Sequence, residues 1–134
     1  MLDGTEPITD DEILYRRSNT SEKHFNPESG EPISPKAFKP HRDRDKTGLS
    51  VFRAKYVNPY KLCDDGSGRR FWVISLCAGD LRRHGIEVIP RPSKQAGPGH
   101  AELPGLHSDN RKKTEELQLI IAEKLCLRIE GPYP

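Results

Sequence analysis

The chain lacks a strong net charge, a large apolar fraction and any long hydrophobic run. Its 134 residues carry 22 basic and 20 acidic side chains, for a formal charge of +2. A dedicated DNA or membrane binder needs a one-sided basic field, so this balance argues against both. No apolar run reaches the ~20 residues of a membrane-spanning helix. Because the length suits one domain but only 33% of residues are hydrophobic, we expect a single domain, residues 1–134, with a small core.

Features of secretion and of thiol chemistry are also missing. The first residues are acidic and have neither a basic n-region nor an apolar h-region, so no signal peptide is predicted. The three cysteines, Cys63, Cys77 and Cys126, form no CxxC pair, which leaves zinc-knuckle and redox motifs without support. Cys77 and Cys126 lie in apolar segments, where a free thiol behaves as a small hydrophobe. We therefore expect a reduced, cytoplasmic protein.

Several motifs of common chemistry are absent. No GK[ST] follows the glycines at 66 and 68, so this turn is not a phosphate-binding P-loop. The five histidines show no HxxxH spacing, and the acidic turn at 64–68 lacks the terminal glutamate of an EF-hand. The sequence therefore predicts no metal site and no bound cofactor, apart from NAD in one alternative given below.

Prolines and glycines are abundant, at 12 and 11 residues, and indicate loops at 18–33, 40–48 and 90–99. Apolar or alternating segments between them predict strands. The segment 71–76 is apolar on both faces, which is typical of a strand inside a sheet. The predicted strands begin near Ile13, Leu49, Phe71, Ile86, His100 and Cys126.

Helical spacing is clearest near the end of the chain. Apolar residues recur on one face over 110–125, which predicts one long helix. Ser34 followed by Pro35 predicts a short helical turn, as does the segment 78–84 closed by Gly85. The predicted fold class is α+β, with a small mixed or antiparallel sheet of five to six strands, one long C-terminal helix and short helical turns.

His100 and Glu102 form the first candidate pair for chemistry. Residues two apart on a strand project to the same side, so the imidazole and the carboxylate would project together. Glu102 is then placed to orient His100, and His100 to act as a general acid or base. An exposed polar face on an edge strand explains the same pattern without chemistry.

A hydroxyl and two guanidinium groups complete the candidate site. Ser50 points away from its apolar neighbours on a predicted strand, where it would bond to a neighbour or a substrate; it lacks the GxSxG elbow of a serine triad. Arg16 and Arg17 are each able to grip a phosphate or carboxylate, but adjacent strand residues diverge, so only one enters a shared cleft. The candidate catalytic residues are Arg16, Ser50, His100 and Glu102; the candidate cofactor contacts are Arg17, Ser34 and Phe38.

We expect these residues to line one cleft, formed by the segments 33–54 and 98–103 with the arginine pair. Three short motifs in them, SPKAF at 34–38, GLSV at 48–51 and GHAEL at 99–103, resemble a group of small uncharacterised bacterial proteins. In that group an SSxAF-type segment precedes an SV strand and a PAHA-type segment follows. Here Gly99 separates Pro98 from His100, which departs from the pattern. The resemblance spans residues 14 to about 123 and implies no established activity.

The order of an early strand arginine, a middle strand serine and a late glutamate also resembles ADP-ribosyltransferase-like folds. In those folds the three residues bind NAD and polarise the ribose. Arg16, Ser50 and Glu102 stand in that order here. The sequence departs from the family in two ways: Ser50 has no neighbouring STS, and His100 replaces the residue expected two before the glutamate.

Three classes of function therefore compete. The first is a non-enzymatic accessory module that binds a protein partner in a bacterial multi-component system, such as one of defence or conflict. The second is an NAD- or nucleotide-using transferase. The third is a weak nucleic-acid binder, which needs exposed aromatic rings to stack on bases, whereas Phe71 and Trp72 lie in the most apolar predicted strand. Its candidate cations are Arg42, Arg44, Lys46, Arg69, Arg70, Arg82 and Arg83.

Overall fold

The structure is a computed structural model that describes residues 4–20, 24–40, 47–63, 70–106 and 110–131. Its centre is an antiparallel six-stranded sheet in the order β4-β5-β2-β1-β3-β6. The predicted α+β class, with a sheet of this size and a C-terminal helix, is confirmed. The strands are β1 Ile13–Asn19, β2 Leu49–Arg53, β3 Phe71–Cys77, β4 Ile89–Pro90, β5 His100–Leu103 and β6 Arg128–Glu130.

The helices are short except at the end of the chain. A 3-10 helix spans Pro35–Phe38, and a second one spans Pro104–Leu106. The α-helices are α1 Pro59–Leu62, α2 Ala78–Arg83 and α3 Arg111–Ile120, and α3 continues into a π-helix at Ile121–Leu125.

Local capping explains where these helices begin. Ser34 accepts a hydrogen bond from the Lys36 backbone N–H, with a proline in the first turn, as the sequence predicts. Asn110 caps α3 in the same way through the Lys113 N–H. The predicted C-terminal helix is thus confirmed over 111–125, with its last turn widened into the π-helix. Its buried apolar side, which includes Ile121 and Leu125, packs into the core.

Some boundaries differ from the sequence-based prediction. The structure begins β4 only at Ile89, since Ile86 and Val88 are buried outside any strand. It adds α1, which is capped by Asn58 and is not among the predicted helical turns. Residues 41–46 of the predicted loop at 40–48, and the acidic turn at 64–68, lie outside the described residues. No helix in the described part of the chain is long and apolar enough to cross a membrane.

One face of the sheet carries the main hydrophobic core, and we call it the core face. Side chains alternate along β2, so Leu49, Val51 and Arg53 are buried while Ser50 and Phe52 are half-buried. The 3-10 helix at Pro35–Phe38 and the C-terminal helix cover the core face. The opposite face has a smaller apolar cluster, in which Leu62 and Cys63 of the α1 region pack on Val73.

Arg53 occupies a position on the core face where an aliphatic residue would be expected. Its side chain is completely buried and forms ion pairs with Glu12 at 2.5 Å and with Glu6 at 3.0 Å. It also donates to the backbone carbonyls of Gly4, Glu6 and Pro7. Tyr56 donates its hydroxyl to Glu6 at 2.6 Å. This group, Arg53, Glu6, Glu12 and Tyr56, is called the Arg53 cluster, and it fastens residues 4–12 to the end of β2.

Charges and hydrogen bonds in the Arg53 cluster act on the pKa of its members. Burial alone would lower the pKa of Arg53, but the hydrogen bond and the charge of Glu12 outweigh it and raise that pKa. The hydrogen bond from Tyr56 lowers the pKa of Glu6 from its ordinary value of 4.5, and the charge of Arg53 adds to the effect. Both groups therefore remain ionised at neutral pH.

Acid is expected to weaken the fold through Glu6. Because the pKa of Glu6 is lower in the folded than in the unfolded chain, its contribution to stability is present above pH 4.5 and is lost as the pH falls through the folded value. We expect the midpoint of urea unfolding to decline below pH 4.5 less steeply in Glu6→Gln than in the parent. Glu115→Gln, at a side chain 58% exposed, is the control. Equal slopes in the parent and in Glu6→Gln would contradict this assignment.

Candidate functional site

The register of the strands decides which candidate residues share a face. Directly opposite residues of an antiparallel pair project to the same side of the sheet. Ser50 is opposite Glu102, and Phe52 is opposite both His100 and Tyr15. Arg17, two residues after Tyr15, also belongs to this side. This surface is on the side of the sheet opposite the core face. We call it the polar face and define it by Arg17, Ser50, Phe52, His100 and Glu102.

Ser50 and His100 are hydrogen-bonded to each other on the polar face. The Nε2 atom of His100 lies 3.1 Å from the Ser50 Oγ, and its Nδ1 lies 2.8 Å from the Arg91 carbonyl oxygen. A carbonyl oxygen only accepts, so Nδ1 carries the proton and, in the neutral ring, Nε2 accepts from the serine hydroxyl. The arrangement is a hydroxyl bonded to a base whose other nitrogen is held by the backbone.

Glu102 is the buried anion of the polar face. It is only 4% exposed. The hydroxyl of Thr47 lies 2.7 and 2.8 Å from its two oxygens, and the Arg91 Nε donates to Oε1 at 2.8 Å. The interpretation in which Glu102 orients His100 is therefore wrong, because the Arg91 carbonyl performs that task. The side chains of His100 and Glu102 are on the same side of β5, but they project in parallel and not toward each other. The imidazole and the carboxylate are therefore kept apart.

Aromatic rings connect Arg17 to His100. The Arg17 guanidinium lies over the rings of Phe52 and Phe71, at 5.4 and 5.1 Å from their centroids. The Phe52 ring meets the His100 ring edge to face, with 5.7 Å between centroids. Cation–π contact with two rings restricts the orientation of the guanidinium. The polar face therefore carries a cation at one end and a carboxylate at the other, with the serine–histidine pair next to the carboxylate.

Arg16 does not lie on the polar face. It is two residues from Leu14, whose side chain is buried in the core, and its guanidinium donates to the backbone carbonyls of Ala37 and Ser50 at 3.1 and 3.0 Å. The assignment of Arg16 to the candidate catalytic group is thus not supported, and Arg17 is the arginine that joins Ser50. Alternation of side chains along β1 is the physical reason.

The structure does not bring Ser34 and Phe38 to the polar face either. Phe38 is fully buried in the core, so it has no surface to offer a cofactor. Ser34 lines a separate cleft of about 620 Å³ beside the C-terminal helix, together with His24, Phe25 and Glu123. The prediction of one cleft formed by all candidate residues is therefore wrong, since the sheet separates its two halves.

His24 is the titratable group of that second cleft with a shifted pKa. Burial lowers the pKa of His24 below 6.5, and the charges of Lys36 and Arg16 lower it further. Its ring is thus neutral at physiological pH. The imidazole Nδ1 lies 3.5 Å from the Ser18 hydroxyl, which ties the 24–35 loop to β1.

Two residues that contact Glu102 are not indicated by any pattern in the sequence. Thr47 and Arg91 bind Glu102, although they lie 55 and 11 residues from it along the chain. Both come from segments that composition marks only as loops. Nothing in the sequence around Pro90 and Arg91 indicates that Arg91 pairs with Glu102 on the next strand.

Metal ligands are not grouped in the described ranges: no set of three or more histidine, cysteine, aspartate or glutamate side chains there is placed to hold an ion. The three cysteines are free thiols, and burial raises the pKa of Cys126 to about 12.

Comparisons of the chain with protein-family models, with curated proteins and with solved structures find no match.

Proposed function

We propose that the polar face binds NAD or a related nucleotide and cleaves the bond between its ribose and its base, passing the ribosyl group to water or to an acceptor. The observation that carries this proposal is the cross-strand pair of Ser50 and Glu102, with Arg17 on the same face. An arginine, a serine and a glutamate in this chain order resemble ADP-ribosyltransferase-like folds. Arg17 replaces Arg16 in that comparison.

Arg17 would bind the pyrophosphate of the nucleotide. A guanidinium presents a planar set of donors that matches phosphate oxygens. The rings of Phe52 and Phe71 hold the group in place, so less side-chain entropy is lost when a phosphate binds. The same rings offer apolar edges to a base or a ribose.

Glu102 would act on the ribose. When the bond to the base breaks, positive charge develops on the sugar ring, as in glycoside hydrolysis. A carboxylate that accepts a hydrogen bond from a ribose hydroxyl stabilises this charge. Glu102 has about four acceptor positions, and Thr47 and Arg91 use only part of them. Its low exposure places the charge where solvent screens it little.

Release of free nicotinamide from NAD tests this proposal. We expect the purified protein to release nicotinamide above the background of a heat-denatured sample, measured by chromatography. Arg17→Ala is expected to raise the KM for NAD by roughly tenfold or more, the ~1.5–3 kcal/mol of a charged hydrogen bond. Arg111→Ala, at an exposed side chain paired with Glu115, is the matched control. Absence of release with both NAD and NADP, in water and with protein acceptors, would overturn the proposal.

The non-enzymatic module that binds a protein partner stays a prediction. Absence of nicotinamide release together with a stable protein complex would favour it.

The nucleic-acid binder also stays a prediction. Its candidate stacking rings are engaged within the protein, with Phe71 against Arg17 and Trp72 edge-on to Phe25 at 5.2 Å. A steep decrease of RNA or DNA binding with salt would be its signature.

A further inference from the structure

The hydrogen bond between Ser50 and His100 has a direction that matters for reactivity. Because the Arg91 carbonyl accepts from Nδ1–H of His100, in the neutral ring the serine hydroxyl is the donor and the Nε2 lone pair is the acceptor. A hydroxyl that donates to a base of this kind is activated as a nucleophile. The ribose-polarising role of Glu102 makes no use of this activation.

The second requirement for a nucleophile is access to an electrophile. Ser50 and His100 are both half-buried and not sealed in the core. Ser50 is directly opposite Glu102, so their Cβ atoms are about 5 Å apart. A ribose hydroxyl bound to Glu102 would therefore bring the neighbouring anomeric carbon close to the Ser50 oxygen. The Nε2 atom of His100 is 3.1 Å from that oxygen, within hydrogen-bond distance for a base.

We propose that Ser50 and His100 form a nucleophile–base dyad and that the Ser50 Oγ becomes covalently ribosylated. This inference rests on the proposed function for the identity of the donor. In the step, a bond forms between Oγ and the anomeric carbon of NAD while the bond from that carbon to the nicotinamide nitrogen breaks. Nicotinamide leaves with the electron pair of the broken bond and is then neutral. The hydroxyl proton of Ser50 moves to the Nε2 of His100.

The fate of the adduct depends on the second half-reaction. Water or an acceptor hydroxyl attacks the same carbon while its bond to the Ser50 oxygen breaks. Ser50 leaves as the alcohol with the proton that His100 held, and the attacking oxygen releases its own proton to solvent. Two displacements at one carbon retain its configuration. If the second displacement is slow, the protein with ribosylated Ser50 accumulates, and Ser50 is then a site of self-modification.

Mass spectrometry of the protein after incubation with NAD tests the adduct. We expect an increase in intact mass by one ADP-ribosyl group, mapped to the peptide that contains Ser50. Ser50→Ala is expected to abolish it, and His100→Gln to slow its formation by roughly 10²-fold, the usual contribution of a general base. Ser29→Ala, in an exposed loop, is the matched serine control. Circular dichroism of each variant establishes that it is folded.

A fluorophosphonate probe tests the nucleophile independently of NAD. We expect it to label Ser50 in the parent, with the same His100 dependence. Nicotinamide release without any adduct or probe labelling at Ser50 would overturn the dyad and leave the proposed function standing. Probe labelling of Ser50 without nicotinamide release would support the dyad and overturn NAD as its donor. Failure of both reactions would overturn both proposals.

Discussion

Replacing Arg53 with methionine is expected to lower the free energy of unfolding by about 3–5 kcal/mol, the usual cost of removing one partner of a buried ion pair. The Arg53 side chain is fully buried and Glu12 is nearly so. Without the cation, the Glu12 carboxylate keeps its desolvation penalty and loses its partner. Backbone carbonyls of residues 4–7 lose their donor as well. Since small domains are stable by about 5–15 kcal/mol, this change removes between roughly a fifth and nearly all of the stability.

Urea denaturation of the variants measures this effect. Arg111→Met, at a side chain 87% exposed, is the matched control and is expected to change stability by less than about 0.5 kcal/mol. The double variant Arg53→Met with Glu12→Gln is expected to recover part of the loss, because the nearly buried Glu12 side chain then carries no unpaired charge. A loss of under about 1 kcal/mol in Arg53→Met would contradict the assigned role of the Arg53 cluster.

Glu102→Gln is expected to reduce nicotinamide release by about 10²-fold or more, while the protein stays folded. Removal of one preorganised electrostatic group costs this much in enzymes where charge develops in the transition state. The amide keeps the shape of the side chain and an oxygen that accepts from Thr47 and Arg91. It lacks the negative charge that would stabilise the developing cation on the ribose. The expected change therefore lies in kcat more than in KM.

The control for this variant is Glu115→Gln on α3, an exposed carboxylate paired with Arg111. It is expected to leave both release and melting temperature unchanged. Full activity in Glu102→Gln would remove the carboxylate from the mechanism and with it the likeness to ADP-ribosyltransferase-like folds. Loss of activity with equal loss of folded protein would assign Glu102 a structural role with Thr47 and Arg91.

Local patterns in the sequence predicted most of the secondary structure. The apolar run of β3, the Ser34–Pro35 cap and the helical periodicity over 110–125 each depend on residues within one or two turns of each other. The paired placement of His100 and Glu102 on one side of β5 also follows from a local rule, the two-residue period of a strand. These features are determined by interactions between residues that are close together in the chain.

The partners of those residues were not predictable in the same way. Whether Arg16 or Arg17 joins Ser50 depends on the register of β1 against β2, since a shift of one residue exchanges the two faces. Whether Glu102 orients His100 depends on where the chain after β4 places the carbonyl and the side chain of Arg91. The burial of Arg53 depends on residues 4–12 packing over the end of β2, far away in sequence.

The sequence by itself determined an α+β chain with a serine strand, a histidine–glutamate strand and an arginine pair, because short-range periodicity and capping specify such elements. Only the tertiary structure decided that Arg17, Ser50, His100 and Glu102 share a face and that Arg16, Ser34 and Phe38 do not. The physical reason is strand pairing: backbone hydrogen bonds between distant segments set the register, and the register sets which side chains meet.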